Sequence, residues 1–136
     1  MDEKNLIREA LEARKTAYAP YSGFMVGAAL LGRSGKVYRG CNVENAAYGP
    51  SNCAERTAFF KAVSGGEREF DAIAIVGGQK DAATVYAYPC GVCRQVMMEF
   101  CDPGAFRIVV GAGEEDFSAY TLAELLPRGF GPKDLE

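Results

Sequence analysis

The chain has 136 residues, of which 49% are hydrophobic, and this is enough to form the core of one domain. Its formal net charge is -3, and it has no run of lysines and arginines that would bind a phosphate backbone. The first segment, MDEKNLIREALEARKTAY, is charged and amphipathic, and no later run has the length of a membrane span. We therefore expect one soluble, cytoplasmic domain over residues 1–136 that binds neither nucleic acid nor membrane.

The first predicted elements are a helix and a strand hairpin. Apolar residues at helical spacing predict a first helix that starts near Leu6 and reaches Ala17 or Tyr18, before the break at APYSG. Two strand-like runs follow at 24–32 and 36–42, and the short RSG segment between them is typical of a hairpin connection. We expect these two strands to pair antiparallel.

The second half of the chain alternates helices with buried strands. Residues 52–66 predict a helix that ends at two glycines, and the apolar run at 72–78 predicts a strand after it. The pattern repeats with a helix at 91–101 and a strand at 106–112, and a short helix follows at 121–127. Strands separated by helices need crossover connections, which favour parallel pairing. The fold class is therefore α/β, with a mixed sheet covered by helices on both faces.

The five cysteines indicate a metal site rather than a disulfide framework. Their number is odd and no export signal is recognised, so we expect reduced thiols. Cys53, Cys90 and Cys93 lie at the predicted starts of two helices, where free backbone N–H groups and the helix dipole stabilise thiolates. Three thiolates on Zn²⁺ leave the fourth tetrahedral position for water, as in catalytic zinc sites. Cys41, in a strand, and Cys101, at a helix end, are not expected to bind metal.

Glu55 is the candidate acid–base residue. The chain has no histidine, so proton transfer near neutral pH requires a carboxylate, a thiol, an amine or a metal-bound water. Glu55 follows Cys53 by two residues, and Cys-x-Glu followed by Pro-Cys-x-x-Cys is the three-cysteine form of the zinc deaminase signature. Glu55 also matches a capping box with Asn52. Cys53 alone fits a buried core thiol, and the Cys-x-x-Cys pair alone fits a thioredoxin-like redox motif.

On these motifs the chain resembles the small, homotetrameric, zinc-dependent cytidine deaminases of the cytidine/deoxycytidylate deaminase superfamily. The resemblance covers nearly the whole chain, in the blocks YAPYSGFMVGAAL (18–30), CNVENAAYG (41–49), NCAERTA (52–58), PCGVCRQV (89–96) and LLPRGF (125–130). It implies a three-layer α/β/α fold in which a mixed, about five-stranded sheet is covered by helices on both faces.

The resemblance also implies the chemistry. One Zn²⁺ per chain would be bound by Cys53, Cys90 and Cys93, and a zinc-bound water would attack C4 of cytidine or 2′-deoxycytidine. Glu55 would take a proton from that water and deliver protons to ring N3 and to the leaving amine. The products would be uridine or deoxyuridine and ammonia, a reaction of pyrimidine salvage.

Further residues are implied by the resemblance to contact the nucleoside. Each has an ordinary alternative, as a core aromatic, a polar strand end or a surface residue. Phe24 is implied to contact the base, and the backbone of Ala54 the pyrimidine. Asn42 and Glu44 are implied to bind the ribose hydroxyls. Phe130, and also Tyr48, are implied to reach the active site of a neighbouring subunit in the homotetramer.

Arg56 is predicted to balance the charge of the metal site. Three thiolates exceed the charge of Zn²⁺ by one, which makes a bound water harder to deprotonate. Arg56 follows Glu55 directly and can donate hydrogen bonds to the thiolate sulfurs. An exposed i, i+4 ion pair is the alternative, but residue 60 is Phe60, which carries no charge.

Other classes of protein account for fewer of these features. A structural zinc protein needs a fourth ligand, and a Cys-x-x-Cys redox protein leaves Cys53 and Glu55 without a role. A deaminase of another aminated heterocycle, such as a nucleoside antibiotic or a tRNA adenosine, is the nearer alternative, and the acidic charge disfavours the tRNA.

Two residues depart from the resemblance. Cys41 stands where many members of the family have an aromatic residue, and Tyr88 stands where they have a small polar one.

Overall fold

Five strands form one sheet that has helices on both of its faces. The computed structural model describes residues 1–136. The helices are α1 (Glu3–Arg14), α2 (Ala54–Ser64), α3 (Gly91–Phe100) and α4 (Leu122–Leu125), with a 3₁₀ helix over Pro132–Leu135. The strands are β1 (Phe24–Gly32), β2 (Val37–Cys41), β3 (Phe70–Gln79), β4 (Arg107–Gly113) and β5 (Asp116–Thr121).

The sheet is mixed, and its strands lie in the order β2-β1-β3-β4-β5. Strands β3 and β4 are parallel, since α3 lies in the crossover that joins them, and the other neighbouring pairs are antiparallel. The antiparallel pairing of β1 with β2 confirms the predicted hairpin. None of the helices combines the length and the apolar character that a membrane span requires.

The central strands send alternate side chains into two separate cores. Ala29 of β1 and Ala74 of β3 face α1. The next residues along these strands, Leu30 and Ile75, face the opposite side and belong to the core that contains buried residues of α2 and α3. This alternation is the two-residue period of a strand that is buried on both faces. It confirms the predicted three-layer α/β/α fold.

The first helix is shorter than its apolar pattern predicts. Helix α1 ends at Arg14, so the predicted extension to Ala17 or Tyr18 is wrong. Tyr18 instead donates its backbone N–H to the carbonyl of Asn42 at 2.9 Å and forms a parallel bridge with Val43. The chain therefore leaves the helix because backbone groups near the sheet edge satisfy those of Tyr18.

The pattern of apolar residues also failed to predict strand β5. Its sequence, DFSAYT, is short, occupies the edge of the sheet and has no fully buried residue. Such a strand gives a weak periodic signal, and its pairing with β4 is what defines it. The 3₁₀ helix over Pro132–Leu135 was likewise not predicted from the sequence.

Gly40 on β2 lets the first turn of α2 approach the sheet closely. A Cβ atom at Gly40 would lie 2.4 Å from the carbonyl oxygen of Ala54 and 2.5 Å from the backbone nitrogen of Ala58. Both are main-chain atoms of a packed helix, so they cannot shift without moving the helix. Gly40 therefore helps to set the position of the turn that carries Cys53 and Glu55.

Replacing Gly40 by alanine is expected to lower the free energy of unfolding by about 1–3 kcal/mol, the usual cost of overpacking. Urea unfolding followed by circular dichroism measures this change. Gly113→Ala is the matched control, because a Cβ atom at Gly113 of β4 meets no atom within 4 Å. A Gly40→Ala protein as stable as the control would contradict the importance of this close approach.

Candidate metal centre and active site

A cavity of about 530 Å³ lies at the first turns of α2 and α3. Its volume is typical of small-molecule sites, which span about 300–1,000 Å³. Most of the predicted site residues line it together: Phe24, Asn42, Glu44, Tyr48, Cys53, Ala54, Glu55, Arg56 and Cys90.

The three predicted zinc ligands lie next to one another. Cys53 and Cys90 are the N-cap residues of α2 and α3, and Cys93 is in the first turn of α3, so both predicted helix starts are confirmed. The three sulfurs lie within 4.8 Å of one another, and those of Cys53 and Cys90 are 3.8 Å apart. Two sulfurs at about 2.3 Å from a tetrahedral zinc are themselves about 3.8 Å apart. The donor set therefore fits one Zn²⁺ with a fourth position open.

The other two thiols lie outside this group of three. Cys41 is the last residue of β2, and its sulfur accepts a hydrogen bond from the Thr16 hydroxyl at 3.7 Å. Cys101 is the C-cap residue of α3, and burial raises the pKa of its thiol. Neither thiol belongs to the cluster of Cys53, Cys90 and Cys93 that could hold a metal ion.

Arg56 brings positive charge to the thiols. Its Nη2 donates a hydrogen bond to the sulfur of Cys53 at 3.1 Å. The hydrogen bond from the Cys93 thiol, together with the Arg56 guanidinium, lowers the pKa of Cys53. The Nε–H of Arg56 is buried without a hydrogen-bond partner, and a guanidinium in that position requires negative charge nearby. Thiolates supply that charge, so Arg56 and the cysteines are electrostatically complementary.

Glu55 is a buried carboxyl group at the cavity. Only 5% of the residue is exposed, although it lines the cavity beside Cys53. Burial is the main cause that raises the pKa of Glu55, to about 7. A carboxyl group with this pKa can both accept and donate a proton near neutral pH, which is the property that general acid–base catalysis needs.

The capping-box interpretation of Glu55 is wrong. The N-cap of α2 is Cys53, whose side chain makes no capping hydrogen bond. Asn52 is not the cap, and its Nδ2 donates to the hydroxyl of Thr57 at 3.1 Å. Glu55 therefore does not form a capping box with Asn52.

The carboxylate of Glu44 holds the loop that precedes β1. Its Oε1 accepts the backbone N–H groups of Tyr21 at 3.0 Å and Ser22 at 3.1 Å, and its Oε2 accepts the Ser22 hydroxyl. The hydrogen bond from the Ser22 side chain is the main cause that lowers the pKa of Glu44. A carboxylate has about four acceptor positions, so Glu44 keeps capacity for a ligand in the cavity.

Asn42 joins the same wall to strand β1. Its Oδ1 accepts the N–H of Val26 at 2.8 Å, and its Nδ2 donates to the carbonyl of Phe24 at 2.8 Å. One N–H and one lone pair of the amide remain for a ligand. The structural roles of Asn42 and Glu44 are not apparent in the sequence, because most of their partners are backbone groups about 16 to 23 residues away.

The two residues implied to reach a neighbouring subunit occupy different positions. Tyr48 lines the cavity of its own chain, is 73% exposed and has a positive φ of 62°. Phe130 is 57% exposed and lies outside that cavity, where its carbonyl accepts a hydrogen bond from Gln95 at 2.8 Å. The side chain of Phe130 therefore contributes nothing to the cavity of its own chain.

Arg94 positions the loop that carries Cys90, a role that the residue pattern does not predict. Its Nε donates to the carbonyl of Pro89 at 2.8 Å, and its Nη1 donates to the carbonyl of Leu125 at 2.5 Å. The residue just before Cys90 is thereby tied to the end of α4. Both acceptors are main-chain carbonyls, which leave no mark in a residue pattern.

Comparison with known proteins identifies the family. The family model for the cytidine and deoxycytidylate deaminase zinc-binding region matches residues 1–112. The chain belongs to this family. Cytidine deaminases from Sporosarcina psychrophila and Halalkalibacterium halodurans are each 50% identical to it over 135 residues, which is 99% of this chain and 96% and 98% of those proteins.

Solved structures of the deaminase family share the fold. The crystal structure of cytidine deaminase from Burkholderia pseudomallei has a TM-score of 0.87 and 48% identity, over 96% of this chain and 100% of that one. This likeness confirms the α/β fold with a mixed five-stranded sheet. The family is a zinc-binding one, and the cluster of Cys53, Cys90 and Cys93 is where this deaminase can hold one zinc ion.

Proposed function

We propose that this deaminase hydrolyses cytidine, and also 2′-deoxycytidine, to uridine or deoxyuridine and ammonia. The observation that carries the proposal is the meeting of a three-thiol cluster and the buried carboxyl of Glu55 at one cavity of nucleoside size. The 50% identity to two cytidine deaminases over nearly their whole length supports the same substrate.

Cys53, Cys90 and Cys93 are proposed to hold the zinc ion, one per chain. When bound, zinc supplies a Lewis acid that lowers the pKa of water and so provides a nucleophile for C4 at neutral pH. Arg56 donates a hydrogen bond to Cys53, and this withdraws negative charge from the thiolates. Arg94 holds the Pro89 carbonyl and thereby keeps the Cys90 loop in place.

Glu55 is proposed to move the protons of the reaction. Its carboxylate accepts a proton from the attacking water, and the resulting carboxylic acid donates to N3 of the base. Glu55 then transfers a second proton from the tetrahedral C4 hydroxyl to the leaving amine, which departs as ammonia. The raised pKa of Glu55 suits this shuttle, since neither protonation state is strongly favoured near neutral pH.

The remaining lining residues are proposed to orient the nucleoside. Phe24 packs against the base, and the backbone of Ala54 contacts the pyrimidine, because the first N–H groups of a helix lack intrahelical acceptors. Asn42 and Glu44 bind the ribose hydroxyls with the hydrogen-bonding positions that their structural bonds leave free.

The active species is proposed to be a homotetramer in which Phe130 reaches a neighbouring active site, and in which Tyr48 extends from the cavity of its own chain toward a neighbouring one. Both side chains are more than half exposed in the single chain, which suits residues that become buried between subunits. Phe130 also lies outside its own cavity. Light scattering at assay concentration is expected to give four times the chain mass, and a fully active monomer would contradict the assembly.

The proposal also covers the domain organisation, the pathway and the cell compartment of the enzyme. Residues 1–136 act as one domain, on a free nucleoside rather than on a nucleic acid, and the reaction contributes to pyrimidine salvage. The five cysteines are free thiols, which suits the reducing cytoplasm.

A direct assay tests the substrate. Incubation with cytidine is expected to give loss of the cytidine absorbance, with uridine and ammonia formed in equal amounts. The same protein is then assayed with adenosine and with free cytosine. Preference for either compound over cytidine, with zinc bound, would contradict the proposed substrate.

A further inference from the structure

Tyr88 is the large side chain on the cavity wall beside the metal-binding loop. It lies two residues before Cys90 and lines the cavity, as do its neighbours Ala87 and Val92. Of these three residues Tyr88 is by far the largest. Its role is not explained by zinc binding, by the proton transfers of Glu55 or by the ribose contacts proposed above.

The ring of Tyr88 is held in place from outside the cavity. Its hydroxyl lies 3.0 Å from that of Tyr120 on β5, and the two rings meet edge to face with centroids 5.8 Å apart. The ring of Tyr86 also packs against that of Tyr88, with centroids 6.2 Å apart, and the Tyr86 hydroxyl donates to Asp116 of β5 at 2.8 Å. The backbone next to Tyr88 is also restrained, since Pro89 has a fixed φ and its carbonyl accepts from Arg94.

The proposed chemistry decides which edge of the base faces this wall. C4 of the pyrimidine is bonded in the ring to N3 and to C5. Glu55 protonates N3, so N3 must face the start of α2, where Glu55 lies. The C5 edge then points away from Glu55, and among the lining residues next to Cys90 in the chain Tyr88 is the large side chain that can meet it.

We infer that Tyr88 is a specificity-determining residue that restricts substituents at C5 of the pyrimidine. The inference rests on the proposed function, because it assumes a cytidine bound with C4 at the metal site. A ring braced by Tyr120 and Tyr86 resists displacement by an added group, whereas a small residue at position 88 leaves space for one. The enzyme therefore favours cytidine over nucleosides that carry a methyl group at C5.

The test compares kcat/KM for cytidine and for 5-methylcytidine. A single methyl group in a fitted pocket changes kcat/KM by roughly 10- to 200-fold, so the wild-type protein is expected to prefer cytidine by at least about 10-fold. Tyr88→Ser is expected to reduce that preference by about 10-fold or more. Tyr120→Phe keeps the ring of Tyr88 but removes its hydrogen bond, and a smaller reduction is expected.

Tyr86→Phe is the matched control, because it removes a tyrosine hydroxyl that bonds Asp116 rather than Tyr88, keeps the ring that packs against Tyr88, and lies outside the cavity. It is expected to retain the wild-type preference. An unchanged preference in Tyr88→Ser and Tyr120→Phe, or an equal loss in the control, would overturn the inference. Failure of the wild-type protein to turn over cytidine would contradict the proposed function instead, so the two failures are distinguishable.

Discussion

Replacing Glu55 by glutamine is expected to lower kcat for cytidine by at least about 10²-fold, which is the lower end of the range for loss of a general acid–base group. Glutamine keeps the shape of the side chain but cannot accept and return a proton. The zinc content is expected to stay at one ion per chain, because Glu55 is not among the three thiol ligands. Steady-state kinetics and metal analysis on the same sample measure both quantities.

The stability of the Glu55→Gln protein distinguishes catalysis from a structural role. Burial disfavours the charged form of Glu55, so a neutral amide is not expected to reduce the free energy of unfolding. Glu99→Gln is the matched control, because Glu99 is an exposed carboxylate of α3 outside the cavity. A Glu55→Gln protein that stays active but unfolds at a lower temperature than the control would contradict the catalytic role.

Replacing Glu44 by alanine is expected to lower kcat/KM for cytidine by about 10- to 10³-fold, or about 1.4 to 4 kcal/mol of transition-state binding. The physical reason is that the alanine variant loses the hydrogen bonds that the Glu44 carboxylate is proposed to accept from the ribose hydroxyls. Free cytosine has no ribose, so its turnover, where measurable, is expected to fall much less. The ratio of kcat/KM values for cytidine and cytosine therefore reports the ribose contact.

Glu44 also holds the loop at Ser22, so the experiment needs a control for the loss of loop order. Glu67→Ala is a matched control, because the carboxylate of Glu67 likewise accepts a serine hydroxyl, from Ser34 at 2.6 Å, but lies outside the cavity. It is expected to leave the ratio unchanged. An equal fall for cytidine and cytosine in Glu44→Ala would mean that loop order, and not ribose binding, explains the loss.

The site residues that could be predicted best from the sequence are the reactive side chains at the starts of helices. The spacing of Cys53, Glu55, Cys90 and Cys93 placed each of them at the first turn of a helix, and the structure brings the three sulfurs together there. The central strands were equally predictable, because a strand buried on both faces is a short, continuous apolar run. Strand β1 has the same bounds as its predicted run.

The features that could not be predicted depend on contacts distant in the chain. Strand β5 is defined by its pairing with β4, and the end of α1 is set by the hydrogen bond from Tyr18 to Asn42. Arg94 acts through main-chain carbonyls, which any residue could supply. The bracing of Tyr88 by Tyr120 joins two segments about 30 residues apart. Tertiary contacts of this kind can override the local propensity of a segment, or leave no pattern in its sequence.

The most direct test of the account is a joint titration of zinc and activity. Freshly purified protein that has not met a chelator is expected to contain one zinc ion per chain and to hydrolyse cytidine. As a chelator removes the metal, the rate should fall in proportion to the remaining zinc, and added zinc should restore both under reducing conditions. Full cytidine hydrolysis by metal-free protein would contradict the account, as would protein that contains no metal and instead cycles Cys90 and Cys93 between dithiol and disulfide.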